Sequence, residues 1–252
     1  MAGDDLLGGG DAEQEADIER ARIAHGLIAG VSGLSPSDVP HALCRSCATL
    51  LPAASGLSAS MLADGSDMGV VLFASDDVAA RLAEIQYTLG EGPCREAVRL
   101  RAPVFGTDLS RERRRWPLYS VQAVKAGVRA AFSLPLMGAG SALGTLDLYR
   151  ETPGALSRGD IRTALLVADA VTLAVIALDH ASPHPDGVVT WLAGAESDRE
   201  EVHQATGMIM VQLGVSASEA LLRLRARAFA QGRTSTDVAR AVIDRSLDLG
   251  AD

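Results

Sequence analysis

Lysine is nearly missing from this sequence. It has one, Lys125, against twenty-two arginines. That bias reads as genome composition before it reads as chemistry, and it lowers the weight of any single arginine. Aromatic residues are scarce at 4%, so a core has to be built from Ala, Leu and Val. Three cysteines, an odd number, make no disulfide framework and fit a reducing cytoplasm. No apolar run is long enough to cross a bilayer. The opening MAGDDLLGGGDAEQEAD is acidic where a secretory leader is basic, so neither a signal sequence nor a membrane partner is expected. A net charge of -9 argues against broad coating of nucleic acid, and any such contact has to be local.

Catalytic signatures are missing too. There is no GxSxG, no HExxH and no phosphate-binding GxxxxGKS/T, and the five histidines show no partner pattern. No receiver-type phosphoacceptor can be identified. The chain is expected to be no enzyme and to carry no cofactor and no metal.

What is present is 252 residues at 48% hydrophobic content, enough for one large domain and one small one. Residues 1–16 read as a disordered acidic tail. Residues 17–34 read as an N-terminal helix, with Ile18, Ala21, Ala24 or His25, and Ile28 on one face and Gly30, Gly33 and Pro36 as breakers. A helix ahead of a domain with another just behind it is a common dimer interface of sensors. Packing on its own domain is the equal alternative, and both stay open here.

The stretch 35–181 alternates between helical and strand periods. A helix is expected over Ser35–Leu51, with Ser37 as candidate cap. Strands are expected over Leu57–Ala63 and Met68–Ala74, turning at Asp64–Gly65. A helix over Asp76–Thr88 and a strand over Pro103–Phe105 follow, then a helix over Trp116–Ala126. Strands over Ala130–Pro135 and Leu143–Tyr149 are joined by MGAGSA, and a long helix over Ser157–Asp179 opens on a Ser157/Asp160 capping box. This order gives an α+β domain with an antiparallel sheet, one face of it covered by helices.

Candidate chemistry within this domain is sparse. Cys44 and Cys47 form a CxxC with His41 before it, but a structural metal usually takes four ligands and no second pair stands nearby, so two small core side chains are the simpler reading. Cys94 follows Pro93 at a helix start, where the dipole favours a thiolate, making it a candidate redox- or ligand-responsive residue; core packing is the alternative. The run Glu112–Trp116 is basic beside an aromatic, a pattern that nucleic-acid binders share with exposed loops.

Residues 182–187, with two prolines and a glycine, read as a linker. From Val188 a helix through Trp191 to Leu213 is expected to carry the region 188–250 away from the larger domain. Trp191 is a candidate anchor between domains or subunits, or ordinary packing. Three short helices follow from the punctuation of 199–247. The first has Val202, Ala205, Ile209 and Leu213 inward and ends at Gly214. The second opens on a Ser216/Glu219 capping box, turns Ala220, Leu221, Leu224 and Ala228 inward and stops at Gly232. Thr234 or Ser235 caps the third, with Val238, Ala239, Val242 and Ile243 apolar. So thin a core is expected to lean on a partner. Between Glu219 and Arg245 stand six arginines against three acids. Arg223 and Arg227 share a helical face and Arg225 points round from them. The guanidinium fork suits phosphates and stacks on unpaired bases, although a solvated face explains the charges equally well.

The residues Arg199, Gln204-Ala205-x-Gly207, Met208, Ile209, Met210, Ser218-x-Ala220, Leu224-Arg225, Ala228, Arg233 and Val238-Ala239 resemble, in order and without a gap, an ANTAR domain. That resemblance implies a dimeric RNA-binding module of a transcription antiterminator that grips a leader RNA with two small stem-loops. One departure is Thr206, where many members have Lys. The sensor stretch, with Leu89-Gly90-Glu91-Gly92-Pro93-Cys94, Ser133-Leu134-Pro135-Leu136 and Leu143-Gly144-Thr145-Leu146-Asp147-Leu148-Tyr149, resembles a GAF domain, the common partner of ANTAR modules in actinobacterial proteins. It implies a small-molecule ligand and shows no match to the cyclic-nucleotide motif.

The expectation is thus a cytoplasmic GAF–ANTAR antiterminator that works as a homodimer on dual stem-loop RNA. Arg223, Arg227 and Arg233 are the leading RNA contacts, followed by Arg225 and Thr206. Ala205 and Gly207 allow RNA backbone or a helix to approach. The competing expectation is a signal-sensing dimerisation or protein-interaction module with no direct RNA contact. A third is a redox or small-molecule sensor whose output is not RNA. Salt dependence separates the first two, because phosphate contacts weaken steeply as salt rises.

Overall fold

The computed structural model describes residues 8–31, 33–35, 38–62, 69–181 and 192–249. The first helix, α1 (Gly8–Val31), starts earlier than expected and takes in residues read as a disordered tail. Ala12, Glu13, Glu15 and Ala16 are good helix formers, and acidic residues near a helix start are favoured by the helix dipole. Helix α2 (Val39–Leu50) begins later than expected. Ser35 stays outside it and donates its hydroxyl to Asp38 Oδ2 at 2.6 Å, while Pro40, lacking an amide hydrogen, is tolerated in the first turn. The candidate cap Ser37 and the turn Asp64–Gly65 lie outside the described residues, as do Trp191 and the 182–187 linker.

Strands β1 (Gly56–Leu62) and β2 (Gly69–Ala74) precede α3 (Asp77–Leu89), α4 (Pro93–Leu100) and β3 (Val104–Gly106). Then come α5 (Pro117–Lys125), β4 (Ala130–Gly138), β5 (Ser141–Arg150) and α6 (Arg158–Ala181). The strands form one five-stranded sheet in the order β2-β1-β5-β4-β3, with every neighbouring pair antiparallel. Asp76 caps α3 by accepting from Ala79 N at 2.8 Å, and Gly90, at φ 65°, ends it. The capping box of α6 forms as read: Ser157 N donates to Asp160 Oδ2 and Asp160 N to Ser157 Oγ, both at 3.1 Å.

Helices cover both faces of the sheet, not one. Ala130, Phe132, Leu134 and Leu136 of β4, with Leu146 and Leu148 of β5, join a core with α1, α2 and α6. The alternate residues Ala131 and Tyr149 join a second core with Trp116, Tyr119 and Ala97 under α3, α4 and α5. The near-continuous run AAFSLPLM is the reason: a strand with few outward polar residues has to be buried on both sides.

Against α3 and the edge strand β2 lie α7 (Leu192–Leu213), α8 (Ala217–Gln231) and α9 (Ser235–Ile243). Between Glu201–Leu213 of α7 and α8 the chain bends by 107°, with Gly214 at φ 63° in the turn. Only half of the expected Ser216/Glu219 capping box is made. Ser216 Oγ accepts from Glu219 N at 3.3 Å, but the Glu219 carboxylate pairs with Arg223 instead. The complete box sits one helix later, at Thr234 and Asp237. Val202, Ala205, Ile209, Ala220, Leu224, Ala228, Val238, Ala239 and Val242 are buried together, and Tyr87 of α3 is buried among them. The bundle therefore packs back on the sheet domain, and the expected projection away from it is not seen. A three-helix core made so largely of Ala and Val leaves a face that is cheaper to cover than to solvate. Among the described residues no single helix is long and apolar enough to cross a membrane.

Gly144 marks the closest backbone approach between β5 and β1: a Cβ there would stand 2.1 Å from the Ser60 carbonyl oxygen. Gly144→Ala is expected to cost about 2–4 kcal/mol by forcing the strands apart. Urea unfolding checks this, and an unchanged midpoint would show that the pair relaxes freely.

Candidate RNA-binding surface and sensor interior

The arginines expected to act together divide into two groups. Arg223 is exposed on α8 and donates from Nη2 to Glu219 Oε1 at 2.7 Å, a pair with both side chains about half exposed. Such a surface pair holds its arginine weakly. Arg227, one turn on, is half-buried on the same face. Arg225 turns to the sheet domain, its guanidinium carbon 5.2 Å from the centroid of the Tyr87 ring. Arg233 donates to the Asp237 carbonyl at 2.6 Å and to Gln231 Oε1 at 3.2 Å. It lines a cleft against α3. Arg240 ties α9 to α7 through Glu201 at 2.7 Å.

Two expected contact residues are inside the bundle. Thr206 is buried and spends its hydroxyl on the Val202 carbonyl, one turn back, at 2.6 Å. A threonine on an inward helical position satisfies its own polar group this way, so it offers nothing to a ligand. Ala205 is fully buried and serves helix–helix approach. Gly207 is open, since a Cβ there would meet nothing within 4 Å.

The seam between the two parts is built by the last turn of α3. Ser235 at the start of α9 donates to Thr88 Oγ1 from its amide at 3.3 Å and its hydroxyl at 3.0 Å. Thr88 in turn donates to Glu84 Oε1 at 3.3 Å. Both Ser235 and Thr88 are buried. The sequence marks Ser235 only as a possible helix cap and does not single out Tyr87 or Thr88, for which the one available signal is a tyrosine at a helix end in a chain poor in aromatics.

Inside the sheet domain, Asp147 sits at the middle of β5 under α3–α5. Ser133 donates to its Oδ1, and Thr145 donates to Oδ2 at 3.0 Å. Burial outweighs these two donors and pushes the carboxyl from 3.8 up to about 6. Sequence could have flagged it as the acid in the apolar run GTLDLYR. Tyr119, fully covered, has its phenol pushed well up by burial and then by Asp147. Cys94 stands at the start of α4, where its amide donates to Gln86 Oε1 at 2.8 Å. Its thiol is pushed up, first by burial and then by the Asp147 charge. Burial thus opposes the pull of the helix start on this half-buried thiol. The room left in this interior is slight: about 10 Å³ beside Asp147 and about 40 Å³ beside Cys94.

The remaining motifs resolve simply. Cys44 and Cys47 are buried core residues while His41 is exposed. Burial lifts the Cys47 thiol to about 12. Among the described residues no group of His, Cys, Asp and Glu could hold a metal. Arg115 of the basic run lies 4.5 Å over the Trp116 ring and donates to Glu96 Oε2 at 2.8 Å, which also accepts from Trp116 Nε1 at 3.0 Å. The Arg115 contact holds the Glu96 carboxyl below its usual range. This is a structural clasp. Glu91, in the run Leu89–Cys94, accepts the Leu118 and Tyr119 amides at 2.5 and 2.7 Å and so caps α5 from another loop.

A family model for the GAF domain matches residues 34–176, more than half of the chain. The chain belongs to the GAF family. An ANTAR domain follows it, matched over residues 192–243. No curated protein matches the chain. Among solved structures it is similar to the GAF domain of an Acinetobacter phosphoenolpyruvate-protein phosphotransferase, at 14% identity and TM-score 0.49 over 69% of this chain and 98% of that one. It is also similar to the free methionine-R-sulfoxide reductase of Neisseria meningitidis in complex with its substrate, at 16% identity and TM-score 0.47 over 72% and 96%. GAF domains are signal-sensing modules and ANTAR domains are RNA-binding modules of antiterminators, and both are regulatory. The GAF domain here is residues 34–176, with α8 and α9 of the ANTAR bundle against its α3.

Asp147 carries a pH signature. Its folded pKa lies above the unfolded value, so the folded state holds the extra proton between about pH 4 and 6. The stability it contributes is present below that window and is lost as pH rises through about 6, amounting to roughly 3 kcal/mol. Asp147→Asn is expected to raise the melting temperature at pH 8 and flatten the difference between pH 4 and 7. An unaltered pH profile would place the titration elsewhere.

Proposed function

We propose that this chain is a signal-responsive transcription antiterminator, not an enzyme, that works in the cytoplasm as a homodimer on leader RNA with two stem-loops. The carrying observation is the ANTAR match on a bundle whose α8 carries exposed Arg223 and half-buried Arg227 on one face, in a chain of net charge -9. Phosphate contacts from these two arginines position the bundle, and side chains near them read unpaired loop bases. Arg225 and Arg233 join only when the bundle leaves α3, so the form described here is the less active one. A signal acts by changing how firmly the bundle is held. Dimerisation through α1 and α6 is supported by Ile18 and Leu173, 63% and 54% exposed, with Ile28 and Leu165 also exposed on the same two helices. Apolar side chains set along packed helices are the usual seam of such dimers.

A second reading, a protein-interaction module, draws support from Val211 and Leu222, 86% and 65% exposed on the bundle. RNA binding as a function of salt decides between them. With a dual stem-loop RNA, Arg223→Ala/Arg227→Ala is expected to weaken binding about 10–100-fold and to lower the salt slope by about 1–2. Tyr87→Leu keeps the apolar packing but removes the cation–π contact, and is expected to strengthen binding about two- to fivefold. Affinity that is indifferent to both changes and to salt would favour the protein-interaction reading.

A further inference from the structure

Among the described residues, the spaces beside Asp147 and Cys94 inside the GAF domain are about 10 and 40 Å³, room for little more than a water molecule each. Space of a different order lies at the seam. A cleft of about 510 Å³ opens between α3 of the GAF domain and the α8–α9 turn of the ANTAR bundle. That is the size of ordinary small-molecule sites, which favour domain junctions. Ile85 and Leu89 form one wall and Phe229, a large aromatic left 44% exposed, forms the other.

The charges at this cleft are unevenly engaged. Glu84 accepts the Thr88 hydroxyl, and the Asp237 carboxylate accepts the Thr234 amide in the capping box of α9. Arg233 donates to two neutral oxygens, and Arg81 is exposed on the opposite wall. Arg81 and Arg233 thus line the cleft from different domains, together with Glu84 and Asp237. An apolar body flanked by cations selects an aromatic or acyl anion.

We infer that this junction is a ligand site of the protein, and that it takes a small amphipathic anion with a flat apolar body. Because its walls belong to two domains, the ligand binds only while the bundle is docked. On the functional reading above, on which this consequence rests, bound ligand therefore opposes RNA binding.

The probe is 8-anilinonaphthalene-1-sulfonate, an aromatic body with one anionic group, titrated into the full chain and followed by fluorescence. A saturable single site is expected. Arg81→Ala/Arg233→Ala is expected to weaken it about tenfold, Phe229→Ala to weaken it comparably, and Val211→Ser, on exposed α7, to leave it as it was. Non-saturable fluorescence, or an affinity unchanged in both cleft variants with circular dichroism intact, would overturn the site. The same probe is expected to weaken dual stem-loop RNA binding. An RNA affinity untouched by bound probe would contradict the docking reading while leaving the site standing.

Discussion

The last turn of α3 is where the molecule's two halves share residues. Gln86 turns inward and accepts the Cys94 amide. Tyr87, the next residue, is buried among the ANTAR side chains with Arg225 against its ring. Thr88 takes two hydrogen bonds from Ser235. A helix is stiff over one turn, so a shift of α3 on its own sheet moves the surface on which the bundle rests. No separate relay is needed.

The strength of that seam matters as much as its position. A partly desolvated cation–π contact is worth about 0.5–2 kcal/mol, each hydrogen bond about 1 kcal/mol, and burial of a large side chain about 1.5–3 kcal/mol. Moving a two-state equilibrium from one extreme to the other takes about 5.5 kcal/mol. The seam is therefore firm enough to hold the bundle and weak enough for RNA or a ligand to tip it. On the proposed function Arg225 has a use in each state: it stacks on Tyr87 when docked and is released with the face of α8 when not.

Much of this was legible in sequence because it is local. Helix ends at Asp76, Ser157, Gly214 and Gly232 follow from backbone conformation and capping, and the inward faces of α7, α8 and α9 follow from helical spacing. The residues of the two domain matches were readable for the same reason. What depends on contacts distant in sequence was not. Thr206 read as a surface substitution for lysine, yet its position on α7 faces inward and its hydroxyl is spent one turn back. The Arg225–Tyr87 and Ser235–Thr88 pairs join residues far apart in the chain, and no periodicity announces them. At Cys94 the helix start is visible in the sequence and the burial that opposes it is not.

The central claim is that the ANTAR bundle exchanges its seat on α3 for RNA. Hydrogen exchange of the full chain, with and without dual stem-loop RNA, tests it directly. Faster exchange over Gln86–Leu89 together with slower exchange over α8 is the predicted result. RNA that binds while the end of α3 stays as protected as before would contradict the account.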